Sequence, residues 1–343
     1  MSVSSAEKST RIFGFDILRI ATLLAILYFH VWQFTFNEDI ITLPAEISSY
    51  HNLTDWVGPV FKYGGLFIVA LSFFLIGLKE KSRHLNRIYL LIVGIVGLQI
   101  LSAEDPADPN TWNWDVFSYL VFSYFVVVLT TKKLPVRYGL IALSLIVLSI
   151  PYEIYESLLK IPETVQYTGW NILPWLALPV LYHSLGVVWR EKVPGTVAKV
   201  PWWESLIWIS LITTLYLVSP DAGSFPAGPG FEAYVFKPKP LLFGFHFSVF
   251  SFLMRLSLDP RVNGFLGQLA PIQWLSSLRW NQRFGLCYLL QFAFLPLGSL
   301  LMNFWATYPH AFEWLWLFIF IVVELIARVV LKRKGLFKLI DRL

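Results

Sequence analysis

Cysteine is almost missing. Cys287 is the only one among 343 residues, so no intrachain disulfide forms and the redox compartment stays open. Charge is scarce too: Asp, Glu, Lys and Arg make up 14% of the chain against 56% hydrophobic residues, and mean hydropathy is +0.61. Folded as soluble globules, a chain of this composition has too little polar surface to face water. No two histidines or carboxylates stand at metal-ligand spacing on one helix, and neither a nucleophilic serine motif nor a phosphate-cradling glycine loop is present. A resident metal and ATP-driven chemistry are therefore not expected. No internal repeat is visible. The first ten residues are polar and run into an apolar segment without a small-residue cleavage site, so the first helix is expected to be retained.

What fills the chain instead is apolar runs bounded by polar, proline or tryptophan-rich segments. They predict spans near 17–36, 57–78, 88–102, 115–131, 138–152, 171–189, 202–218, 241–258, 284–303 and 312–331. The expected fold is all-α: a polytopic helical membrane bundle of about ten spans. It forms a single domain over 1–343, with a cytoplasmic N-terminus at 1–16, the bundle at 17–331 and a basic cytoplasmic C-terminus at 332–343. Of the 27 Lys and Arg residues, all but five fall on one side of this arrangement. Lys62, Lys160, Lys237 and Lys239 lie opposite, and Arg19 lies within a span. The positive-inside rule then puts both termini in the cytoplasm of a multi-pass cell-membrane protein. The formal net charge of +5 is spent on topology, and no basic stripe remains for nucleic acid. Segment 259–283 is too polar and interrupted to cross, and reads as a helix or loop on the cytoplasmic face. The opposite loops are short, acidic and rich in turn formers.

One span stands apart. Residues 11–36, RIFGFDILRIATLLAILYFHVWQFTF, carry Asp16, Arg19 and His30 in an otherwise apolar run. At about 100° per residue, the eleven-residue step from Arg19 to His30 returns to within ~20° of the same face, roughly 16 Å along the axis. Asp16 lies one turn before Arg19 on that side. Each charge costs on the order of 2.5 to 3.5 kcal/mol at mid-bilayer, so such groups face a bundle interior and mark function. The plainer alternative is an anchoring Asp16–Arg19 pair with a packed histidine.

The run Arg11, Asp16-Ile17-Leu18-Arg19, followed ten residues later by His30, resembles the opening of the integral-membrane acyltransferase 3 family. GGLFIVALSFFLIG, Gly64 to Gly77, is similar to that family's second-span run, with Ser72-Phe73-Phe74-Leu75-Ile76 at its end, and Asn86 to Leu90 resembles its Arg-Ile-Tyr-Pro. Ile20, Phe73 and Leu90 depart from that pattern. WDVFSYLVFSYF and NILPWLALPVLYHSLGVVWRE resemble the related heparan-glucosaminide N-acetyltransferase-like membrane proteins. The resemblance implies transfer of an acyl group, acetyl above all, from cytoplasmic acyl-CoA to a hydroxyl or amine of an extracytoplasmic glycan or lipid-linked sugar. Membrane lipid and glycan-assembly proteins are the expected partners. His30 suits the role of base, because neutral imidazole titrates near pH 7. Arg19 suits the donor's anionic groups, with Asp16 holding its guanidinium. Arg83, Arg87, Arg279 and Arg283 are candidates for the nucleotide phosphates, although topology and lipid headgroups explain them equally simply.

Gln99, His183, His246, Gln291, Asn303, Glu324 and Arg328 are the other polar residues within spans. Glu324 and Arg328 fit an intrahelical pair, and His183 and His246 fit packed, hydrogen-bonded histidines. Two rival functions stand beside this one. A carrier or exporter would run a proton or substrate path through His30, Arg19 and Glu324, and a non-catalytic partner of a glycan-assembly complex would need none of them.

Overall fold

The computed structural model describes residues 12–35, 68–78, 123–127, 133–151, 154, 172–192, 199–218, 240–277, 318, 321–322 and 324–325. Side chains 26–35, 172–175 and 242–243 lie outside that description. Among the described residues all regular structure is helical. The main helices are α1 (Phe13–Thr35), α2 (Leu134–Ser149), α3 (Ile172–Lys192), α4 (Trp202–Val218), α5 (Pro240–Ser257), α6 (Pro260–Gln268) and α7 (Ala270–Ser277). Predicted spans 88–102 and 284–303 lie outside the described residues, as does most of 312–331. No helix among the described residues is long and apolar enough to cross a membrane.

Helix α3 is the hub. Residues 177–184 are buried without a break, so this helix is enclosed on all sides, unlike an amphipathic surface helix. Stretch 68–78 meets α3 through two glycines: a Cβ on Gly186 would fall on the Phe74 carbonyl oxygen, and one on Gly77 would fall on the His183 carbonyl oxygen. Small residues let two helix backbones approach this closely. On another side, Tyr182 and Ser251 share a hydrogen bond of 2.6 Å between their hydroxyls, tying α3 to α5. Leu71, Phe74, Leu178, Leu181 and Phe250 fill the space between these elements.

Helices α4 and α5 run antiparallel, because their contacts descend one helix as they climb the other. Glu204 pairs with Arg255 at 2.8 Å, Trp208 stacks on Phe252 at 6.1 Å, and Tyr216 tilts against Phe245 at 5.7 Å. The half-buried positions of α4 are Glu204, Ser205, Trp208, Ile212 and Leu215, one narrow stripe at helical spacing. The rest of α4 is bare. Leu217 is 75% exposed and Ile207 59%. Helix α2 is similar, with Arg137 and Ser144 buried and Leu143, Leu145 and Ile146 exposed.

Segment 259–277, expected as a helix or loop, forms two short helices. Asp259 caps α6 by accepting the Arg261 backbone N–H at 2.8 Å, and Pro260 opens the helix, where a missing N–H costs nothing. Leu269, in extended conformation, separates α6 from α7.

Candidate functional site

The first turn of α1 is seated against α5 and α6. The Phe13 N–H donates to Asn263 Oδ1 at 2.8 Å, Gly14 lies against the Ser257 side chain, and the Phe13 ring lies over Gly267. A side chain at Gly14 would push α1 off α5. This seat buries Asp16, 7% exposed, in the first turn, where a carboxylate also meets the positive end of the helix dipole. Arg19 is half-buried one turn on. Thr22 Oγ1 donates back to the Leu18 carbonyl at 2.7 Å. Backbone helix continues unbroken past His30 to Thr35, so Asp16, Arg19 and His30 stand on one helix at the spacing that defines a common face. The His30 side chain lies outside the described residues, as do Arg83, Arg87, Arg279 and Arg283.

A second polar centre lies between α2 and α3. Arg137, one of the basic residues counted on the expected cytoplasmic side, is 1% exposed. Its Nη1 lies 3.0 Å from His183 Nδ1 and donates to Ser184 Oγ at 3.4 Å. A guanidinium only donates, so Nδ1 is the acceptor and the neutral ring of His183 carries its hydrogen on Nε2. The histidine is thus packed and hydrogen-bonded, as expected, but its partner comes from a helix 46 residues away. A faint signal existed: Arg137 and Ser144, two turns apart, are the polar members of the stripe that α2 buries. His246, which the sequence grouped with His183, lies edge-on to the Phe245 ring at 4.8 Å.

A third polar group binds helix ends together. Asp259, 1% exposed, accepts the Val200 N–H at 2.7 Å and the Arg261 side chain through Nη2 at 2.7 Å and Nε at 3.1 Å. Arg261 also donates to the Val200 carbonyl at 2.9 Å. The Arg261 side chain, and behind it the Val200 and Arg261 backbone N–H groups, hold the Asp259 carboxyl well below the usual carboxylate range, against the opposing effect of burial. Nearby, the Arg255 guanidinium sits 5.3 Å above the Trp189 ring centre, and Arg190 donates to the Gly77 carbonyl at 3.3 Å. These contacts join the end of 68–78, the end of α3, the start of α4, the end of α5 and the start of α6.

Among the described residues, no group of three His, Cys, Asp or Glu side chains is arranged to hold a metal ion. No protein-family model matches the chain, and comparison with curated proteins and with solved structures likewise yields no match.

Proposed function

We propose that this chain is an integral-membrane acyltransferase that moves an acyl group, acetyl in the first instance, from cytoplasmic acyl-CoA to a hydroxyl or amine of an extracytoplasmic glycan or lipid-linked sugar. The observation that carries this reading is α1, one unbroken helix from Phe13 to Thr35 that holds a buried carboxylate, a half-buried guanidinium and an imidazole at face-sharing spacing. In this reading His30 takes the proton of the acceptor hydroxyl as its oxygen attacks the thioester carbon. The carbon–sulfur bond then breaks, and coenzyme A leaves as the thiol with that proton. Arg19, steadied by Asp16, binds the donor's anionic groups.

The bare apolar faces of α2 and α4 support a lipid setting, since a contiguous apolar surface of this kind calls for a cover. At about 1.5 Å per residue, the 16 residues of α2 and the 17 of α4 reach about 24 and 26 Å, short of a hydrocarbon core of about 30 Å. Local thinning of the bilayer accommodates that difference at modest cost. Asp259, Arg190, Arg255 and the start of α1 gather at one end, which fits the cytoplasmic side expected from the basic residues.

Purified full-length protein incubated with acetyl-labelled coenzyme A is expected to hydrolyse it slowly, and faster when a sugar acceptor is supplied. Indifference to a panel of acyl-CoAs, together with proton-dependent solute flux in vesicles, would replace this reading by a carrier.

A further inference from the structure

Helix α2 touches the rest of the described protein along one stripe: Arg137 and Ser144 buried, with Leu140, Ile141 and Leu148 half-buried between and beyond them. Its partner along that stripe is α3. The longest side chain in the seam is Arg137, and the acceptor it meets is the Nδ1 of His183. That bond exists in one protonation state alone, because an imidazolium carries hydrogen on both ring nitrogens and has no lone pair to offer. With Nδ1 protonated, two donors and two positive charges face each other about 3 Å apart in a buried site.

We propose that the Arg137–His183 contact is an acid-labile joint, which holds α2 on α3 while His183 is neutral and releases α2 when it is protonated. The inference stands whether or not the chain transfers acyl groups.

Among the described residues, few charged or titratable groups stand on the elements packed around the joint. From α3 itself come Tyr182, bonded to Ser251, and Arg190, bonded to the Gly77 carbonyl and to Glu191. From α2 comes Arg137; Lys133 and Tyr138 of that segment are exposed. Stretch 68–78 has no titratable residue. From α5 come His246, against Phe245, and Arg255, paired with Glu204. Of these side chains, histidine is the type whose ordinary pKa, about 6.5 in water, lies in the physiological range. An imidazole released into water takes up a proton below that value, so the joint weakens progressively as pH falls below it.

Hydrogen–deuterium exchange across residues 134–149 of the full-length chain in micelles, corrected for the intrinsic pH dependence of amide exchange, reads the joint directly. Between pH 7.5 and 5.0 the wild type is expected to lose protection there by at least about tenfold, the linkage of one proton over one pH unit. His183→Asn, whose amide oxygen takes the place of Nδ1 and does not titrate, should keep equal protection at both pH values. His246→Asn should behave as the wild type. A flat wild-type profile overturns the proposal, as does an undiminished acid step in His183→Asn. A step that disappears in His246→Asn instead assigns the effect to the other histidine and overturns it equally. If His183→Asn does not fold, His183→Gln takes its place with the same two outcomes.

Discussion

Asp16, Arg19 and His30 were legible because they share one segment, and spacing along one helix is something a sequence states outright. In the described part of α1, Asp16 is buried and Arg19 half-buried. Arg137 and His183 were not legible as a pair. Nothing local to either residue encodes the other, and a basic residue beside Pro135 reads as a helix start near water until α3 is laid against it. The division of labour along α1 is open to direct test. His30→Ala should lower acyl turnover by roughly 10² to 10⁴-fold, the usual contribution of a positioned base, with coenzyme A binding near normal. Arg19→Ala should weaken donor binding and, with Asp16 left in its buried position, lower folded yield. Arg19→Lys should restore part of the binding, since an ammonium keeps charge without the planar fork. Separate measurement of acyl-CoA affinity and turnover distinguishes these outcomes, and full turnover in His30→Ala would remove its catalytic role.

Helices were read from hydropathy to within a few residues, and the misses have one cause. Apolar runs report where a chain leaves water, whereas a helix ends where its hydrogen bonds end. Helix α3 runs on through Arg190, Glu191 and Lys192, past its predicted end at 189, because polar side chains extend a helix into solvent at little cost. Helix α2 starts four residues early, with proline in its first turn, and stops before Pro151, as residues preceding proline tend to. Glycine roles were not legible at all. Gly186→Ala would drive a Cβ into the Phe74 carbonyl and is predicted to destabilise by about 3 kcal/mol, the upper part of the overpacking range. Gly139, with no neighbour within 4 Å of an added Cβ, should accept alanine with a gain of about 0.5 to 1 kcal/mol from helix propensity. Chemical unfolding of the two variants compares them, and similar midpoints would contradict the close 68–78/α3 packing. The α6 cap makes a pH prediction. Because the folded carboxyl of Asp259 lies below its unfolded value near 3.9, its contribution is present above that pH and is lost as pH falls toward the folded value. Unfolding midpoints of the wild type should therefore fall below about pH 4, and Asp259→Asn should lack that part of the decline. An identical acid profile in both proteins would show that the cap adds nothing.

At the scale of the molecule, the bare faces of α2 and α4 decide how the chain meets its surroundings. Leu211 stands midway along α4 and is exposed. In a Cys287→Ser background, Leu211→Cys in vesicles should resist a water-soluble maleimide and react once detergent is added; rapid labelling in intact vesicles would place that face in water. The polar contacts also differ in how far along the chain they reach. Helices α2 and α3, and likewise α4 and α5, pair with near neighbours in sequence, so each pair can form while the ribosome is still at work. Helix α1 is different, for its seat is provided by residues made long after it: the Phe13–Asn263 bond closes a separation of 250 residues. The first turn of α1 is thus secured only once α5 and α6 have been made, and until then the buried position of Asp16 is incomplete. On the proposed acyltransferase reading, fragments that end before α5 would draw on neither donor nor acceptor.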